Sequence, residues 1–282
     1  MNNEQIWSEE IKSKNSLFSI NIKEIWQYRD LLLMLVKRDY VTFYKQTILG
    51  PIWFFVQPLM TMLVYLVLFG QIAKIDTGDA PDAAFYLSGI IIWNYFSESL
   101  TKTSTVFKDN SNLFGKVYFP RLIMPLAIVF SGLMKFAIQF GLFILVILYY
   151  TFISKTIHPN IWVLATPFLI FLMACFALGL GMIFSSLTTK YKDLVFLLSF
   201  GIQLFMYATP VVYPSSAMPE RFAFFLDINP LTGIFECFRY AYLGTGTFRP
   251  ESLGLSTLLI FILLALGVLI YNKVEKSFMD TV

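Results

Sequence analysis

From Gln46 to Ala73 the chain runs without an Asp, Glu, Lys or Arg, and five further stretches are nearly as bare of charge. A helix needs about 20 predominantly apolar residues to cross the hydrocarbon of a bilayer, so this pattern constrains the fold more than any motif. The other runs are Ala84 to Phe107, broken only by Glu98 and Lys102, and Ile123 to Phe152, broken only by Lys135. Ile161 to Leu187, Leu194 to Tyr213 and Ser252 to Asn272 follow, with no charged side chain in them. Of the 282 residues 57% are hydrophobic and 14% charged, against about 45–50% and about 25% in soluble domains. Mean hydropathy is +0.68. A soluble domain is excluded, 30 Phe argue against disorder, and a net charge of +3 gives no footing for nucleic-acid binding. The expected fold is an all-α membrane protein with six transmembrane helices.

The basic residues orient it, because cytoplasmic loops keep Lys and Arg. With the N-terminus inside, fifteen of the 21 basic residues lie on the cytoplasmic side, and Lys74, Lys155, Arg221, Arg239 and Arg249 lie outside. The first outer connection instead carries Asp76, Asp79 and Asp82. Both termini are therefore expected in the cytoplasm. The first 30 residues are polar and offer no cleavable signal, so the first span is expected to direct insertion. Residues 1–45 read as a cytoplasmic N-terminus, and 46–282 as the six-span domain. Within the former, Ile25, Trp26, Leu32, Val36 and Tyr40 recur at helical spacing among Lys23, Asp30, Lys37 and Arg38. Ile22 to Tyr44 is thus expected to be an amphipathic helix lying on the inner membrane surface.

Ionisable residues inside spans face bundle interiors or watery cavities. Glu98 and Lys102 stand four apart on one helix face, the favourable order for a pair. Lys135 lies about 18 Å into its span, counted from the inner end, with no partner on its own helix. Glu98 on the preceding antiparallel helix is the candidate partner. Three such groups are few for ion-coupled transport, and no G-x-x-x-x-G-K-[ST] phosphate loop occurs, so the driving energy is expected from another subunit. Gly179-Leu180-Gly181 reads as close helix packing through small residues. Cys175 and Cys237 have no thiol or His at ligand spacing, and the single His158 before Pro159 reads as a loop residue.

Two connections carry unusual residues. The inner loop 108–121 sets Leu113, Phe114, Tyr118 and Phe119 beside Lys116 and Arg121. It either docks in a partner's groove by apolar anchors ringed with charge or folds back under its own bundle. The outer connection 214–251 is too long for a turn and reads as two short apolar helices. One opens after Pro219, and the other starts at Asn229-Pro230 and ends near Gly244. They form either re-entrant gate helices before the last span or a surface cap. Aromatic side chains in the spans, Trp53, Tyr65, Trp93, Phe200, Phe205 and Tyr207 among them, suit either sugar stacking or helix packing.

In order along the chain, Arg38-Asp39-Tyr40, Tyr44 through Trp53, Gln57-Pro58-Leu59, Phe119-Pro120-Arg121, Tyr191-Lys192-Asp193, Thr209 through Tyr213 and Asn229-Pro230 with Arg239 resemble permease subunits of polysaccharide-exporting ABC transporters. Within that family the resemblance is greatest to O-antigen exporters, with capsule and teichoic-acid exporters as close relatives. It implies a homodimer bound to two copies of a nucleotide-binding ATPase subunit, moving a lipid-diphosphate-linked polysaccharide across the bacterial inner membrane. ATP and Mg would belong to the ATPase; no cofactor, metal or catalytic residue is expected in this chain. Its expected partners are that ATPase, a second copy of itself, membrane lipids and the lipid-linked glycan. The resemblance assigns ATPase docking to Leu113, Phe114, Gly115, Lys116, Tyr118, Phe119 and Arg121. Channel lining falls to Tyr65, Trp93, Phe200, Phe205 and Tyr207, and the outer gate to Phe222, Phe225, Asn229, Pro230 and Arg239. Diphosphate contact falls to Arg38 and Lys45, whose charge equally fits the positive-inside bias. Competing readings are an ion-coupled secondary transporter built of inverted repeats, a permease for another substrate, and a membrane transferase, which would need clustered His, Asp or Glu.

Overall fold

The computed structural model describes residues 22–278 except 46, 115 and 247, and every regular element among them is helical. The expected N-terminal helix is two: α1 (Ile22–Gln27) and α2 (Arg29–Lys45), divided at Tyr28; residues 1–21 lie outside the described part. Pro51 in the turn Gly50–Ile52 opens the next helix, where a missing N–H costs nothing. That helix is α3 (Trp53–Tyr65), which widens into a π-helix over Leu66–Ile72. Asp82, which accepts from the Thr77 hydroxyl at 2.5 Å, starts α4 (Asp82–Ser104), where a carboxylate suits the positive helix end. The run expected to continue to Phe107 breaks at Thr105. The short α5 (Val106–Asp109) and α6 (Ser111–Phe114) then lead to α7 (Ile123–Leu148), which also ends in a π-helix, Tyr149–Ile153.

After the turn Ile161–Ala165 come α8 (Thr166–Lys190) and α9 (Leu194–Ala208). Next are α10 (Glu220–Ile228), α11 (Thr232–Leu243) and α12 (Pro250–Phe278). The second of the short outer helices begins at Thr232 rather than Pro230, because Asn229 Oδ1 accepts from the Leu231 N–H at 2.9 Å and holds a turn there. It stops at Gly244, whose φ of 73° is open to glycine.

Among the described residues, four continuous helical stretches are long and apolar enough to cross a membrane: Gly50–Ile72, Ile123–Ile153, Ile161–Lys190 and Pro250–Val274. The apolar α9 has 15 residues, a rise of about 22 Å against about 30 Å of hydrocarbon. α4 has the length, with 23 residues, but carries Asp82, Glu98 and Lys102. This is a helical membrane protein.

Helix α4 is enclosed, packed among α3, α7, α8, α9 and α11, while α8 also carries α12 along its length. Packing between spans relies on close approach rather than on water exclusion, since lipid is as apolar as the side chains. Small residues permit it. A methyl at Gly181 would sit 2.5 Å from Thr103 Cβ on α4, and one at Gly179 would meet Leu264 Cα on α12 at 2.8 Å. The Gly179-Leu180-Gly181 triplet therefore serves two neighbours from two faces of one helix. A large core of Tyr86, Phe96, Phe143, Phe176, Phe235 and Phe238 fills the bundle. A second core joins Leu35 and Val36 of α2 to Phe107, Phe114, Phe119, Met182 and Tyr271 at the end expected to be cytoplasmic.

Candidate functional site

One face of α9 meets nothing in the protomer. Phe196 is 81% exposed, Phe200 59% and Tyr207 50%, with Leu204 between them; these positions recur at helical spacing and so form one stripe. α3 leaves a similar strip open through Trp53, Met60, Leu63, Val64 and Val67. Tyr65 joins the two helices: it is half-buried, its hydroxyl donates toward Met206 Sδ at 3.5 Å, and its ring stands edge-on to Phe69 at 5.3 Å. Tyr213 steadies the end of the stripe by donating its hydroxyl to the Tyr207 carbonyl at 3.0 Å.

The other two residues expected in a channel wall lie elsewhere. Trp93 is 7% exposed, stacked inside the bundle 5.5 Å from Phe96 and 6.1 Å from Phe205. Phe205 is half-buried and also meets Phe176. Both pack α4 against α8 and α9, Trp93 wholly within the bundle and Phe205 with part of its ring still open. Sequence reasoning passed over Phe196, the most open ring of the stripe, although it stands one turn before Phe200.

The loop at the cytoplasmic end divides in the same manner. Phe114 and Phe119, each 4% exposed, are in the second core, with ring centroids 5.6 Å apart. The Arg121 guanidinium lies 5.8 Å over the Phe114 ring, and the Tyr271 hydroxyl donates to the Arg121 carbonyl at 3.2 Å. These residues fold back under the bundle and hold the loop. Lys116, Val117 and Tyr118 face outward, Tyr118 at 66% exposure, with Leu113 half-buried beside them. Gly115 lies outside the described residues.

At the other end, the expected gate residues split between surface and frame. Phe222 and Phe225 of α10 are exposed. Asn229 is buried and donates its amide to the Ala208 carbonyl at 3.1 Å and Thr209 Oγ1 at 2.8 Å, and Pro230 is half-buried. Arg239 is buried. It donates to the carbonyls of Pro210 (2.6 Å), Val211 (2.5 Å) and Tyr213 (3.3 Å), and its guanidinium stacks 3.7 Å from the Phe85 centroid. Burial pulls its pKa down to about 9, with Glu236 opposing, so it remains a cation at neutral pH. Arg239 thus ties the bend after α9 to α11 and α4. No spacing in the sequence indicated this, because its acceptors are backbone carbonyls.

The charged groups within the helices converge. Lys135 Nζ donates to Glu98 Oε1, and Lys102 reaches the same oxygen at 2.7 Å from one turn along α4. Lys135 also lies 5.7 Å over the Phe54 ring of α3. Asp39 on α2, bridged by Arg38 at 2.8 Å, accepts from Ser131 of α7 at 3.4 Å. Asp39, Glu98, Lys102 and Lys135 border a cavity of about 20 Å³, room for a single water. The Glu98–Lys135 pair ties α4 to α7, and the Ser131–Asp39 hydrogen bond ties α7 to α2. Lys45 is exposed at the end of α2.

A bundle of long apolar helices with a part-buried charge cluster, an open aromatic stripe and a polar loop at one end defines an integral membrane protein of the transport type. The chain belongs to the ABC-2 type transporter family, which it matches over residues 30–243. It is 28% identical to the O-antigen export system permease protein RfbA of Klebsiella pneumoniae over 251 residues, 89% of this chain and 94% of that protein. A protein of the same description from Myxococcus xanthus is 28% identical over 220 residues, 77% of this chain and 82% of the relative. The polysialic acid transport protein KpsM of Escherichia coli is 22% identical over 236 residues, 83% of this chain and 89% of the relative. The chain is a transport subunit and not an enzyme.

Proposed function

We propose that this protein is the transmembrane subunit of an ABC exporter that moves a lipid-diphosphate-linked polysaccharide of the O-antigen type across the bacterial inner membrane, powered by ATP hydrolysis on a separate subunit. The observation that carries the reading is the end-to-end similarity to O-antigen export permeases, which covers 94% of the Klebsiella relative. In this reading α4 and α9 join the four long helices as spans, giving six, with both termini in the cytoplasm. α1 and α2 lie along the inner surface, and α10 and α11 dip in from the outside.

Two copies face each other through the open sides of α3 and α9, so that Phe200, Tyr207 and Phe196 line a passage with Tyr65 supporting them. Flat rings with polar tips suit sugar faces and tolerate varied sequence, as aromatic platforms do for single strands. Phe222 and Phe225 form the movable face of the gate, and Asn229, Pro230 and Arg239 fix its root. Two ATPase subunits, which bind ATP and Mg, dock on Lys116, Tyr118 and Leu113, while Phe114, Phe119 and Arg121 brace the loop from within. Arg38 and Lys45 meet the diphosphate at the inner mouth.

The test is deletion of the gene with the glycan followed in the cell. Finished lipid-linked glycan should accumulate inside, and the tagged protein should copurify with a phosphate-loop ATPase. Normal surface glycan in the deletion strain would defeat the proposal.

A further inference from the structure

Where the loop after α3, the bend after α9 and the end of α11 meet, an open cavity of about 160 Å³ is walled by Asp79, Ser215, Ser216, Glu236, Arg239 and Thr245, with Phe85 in its apolar part. A cavity of about 150 Å³ accepts a benzene ring, so this one has room for a single six-membered ring. It falls well short of the roughly 300 Å³ at which drug-sized sites begin. The polar wall makes a hydrocarbon ring a poor occupant.

The hydrogen-bonding capacity left in that wall narrows the choice. Arg239 is the one cation among the described lining residues. Its guanidinium is turned to the carbonyls of Pro210, Val211 and Tyr213, with Nε toward Ser88 Oγ at 3.4 Å. Asp79 and Glu236 outnumber it and, as carboxylates, can only accept. The Ser215 hydroxyl, near Glu236, is buried without a well-formed hydrogen bond, and Ser216 and Thr245 add further hydroxyls. Such a wall suits a ligand rich in O–H donors and repels a phosphate. A metal ion is the poorer match, since the described residues hold no group of three His, Cys, Asp or Glu that could bind one. What fits is a neutral polyhydroxylated ring, a pyranose, whose hydroxyls make charge-assisted bonds to carboxylates.

The surroundings connect the cavity to the rest of the candidate site. Arg239 holds the Tyr213 carbonyl, and Tyr213 in turn holds the Tyr207 carbonyl at the end of the α9 stripe. Ser215 and Ser216 lie in the short turn that leads into α10. We infer that this cavity is a sugar subsite, which takes one neutral pyranose ring of the exported glycan at the root of the gate, with Asp79 and Glu236 accepting from its hydroxyls. The inference rests on the proposed transport reading for the source of the sugar and for placing the cavity on the outer side.

The test is saturation-transfer NMR on the full chain in lipid nanodiscs, free of sugar-headed detergent. The probes are the methyl glycosides of glucose, galactose and mannose, and fragments of the producing cell's own glycan released by mild acid. At least one probe should receive saturation from the protein. Asp79→Asn and Glu236→Gln, which keep side-chain size, should each weaken its binding about ten-fold. Ser216→Trp at the exposed rim should abolish it, with melting measured alongside to establish that the bundle is intact. The double change Phe200→Ala with Tyr207→Ala should leave it unaltered. Silence from every probe would overturn the inference. So would binding lost with the stripe rings but kept in Asp79→Asn, or displacement of the bound probe by inorganic diphosphate. Gene deletion judges the transport reading separately: trapped glycan with no probe bound would sink the subsite alone, and normal export with a glycoside bound would sink the transport reading while the cavity still takes a pyranose.

Discussion

Arg239 points its guanidinium at three backbone carbonyls at the bend after α9. A lysine there keeps the charge but not the planar fork, so at least one buried carbonyl loses its donor. Arg239→Lys should therefore lower stability by about 2–4 kcal/mol, read as an earlier melt in detergent by size-exclusion chromatography; a melt unchanged from wild type would remove Arg239 from its pinning role. The Glu98 cluster makes a different prediction. Glu98→Gln and Lys135→Met should each destabilise, and the double variant should cost about 1–2 kcal/mol less than the sum. Strict additivity would mean that the two do not interact. The sequence made this pair legible because an unpaired charge in lipid is so costly that its partner can be sought by elimination. It left Arg239 illegible as an anchor, since backbone acceptors have no signature in side-chain identity.

Helices α8 and α12 meet backbone to backbone where Gly179 faces Leu264 and Gly267 faces Gly179. Gly267→Leu should force the pair apart, costing about 1–3 kcal/mol or more and lowering the yield of folded protein. A variant as stable as wild type would show that the crossing yields. The open stripe of α9 should respond in the opposite sense. Phe200→Ala and Tyr207→Ala should lower glycan export several-fold while leaving melting and ATPase copurification near wild type. Loss of assembly in these variants would assign the rings to packing. Element positions were largely readable from charge-free runs, whereas the direction each ring faces was not. Phe114 and Tyr118 look alike as loop aromatics, yet one is buried and the other open. Trp93 and Phe200 look alike as span aromatics, yet one is core and the other surface. Within a bilayer, core, lipid face and channel wall can all be apolar, so composition does not separate them.

At the scale of the whole molecule, Glu98, the carboxylate inside the bundle, is held by Lys102 and Lys135, which suits a subunit driven from outside. Transport in inside-out vesicles should stop when ATP is withheld and persist when the proton gradient is collapsed; the reverse result would assign the chain to ion-coupled transport. Length and charge gave the class of such a molecule from the sequence alone, but not the depth of its groups. Both α3 and α7 finish in a π-helix followed, one residue on, by a lysine of positive φ, Lys74 at 52° and Lys155 at 53°. In the proposed orientation these twin endings mark a common outer level. Measured down from it, Lys135 lies about 25 Å along α7, and Glu98 lies about 24 Å below the start of α4. With about 30 Å of hydrocarbon, that level puts the pair some 5 Å from the inner boundary, whereas counting from Ile123 puts Lys135 closer to the midplane. The first turns of α7 then extend below the lipid, a rigid pillar that holds the 106–121 loop clear of the headgroups.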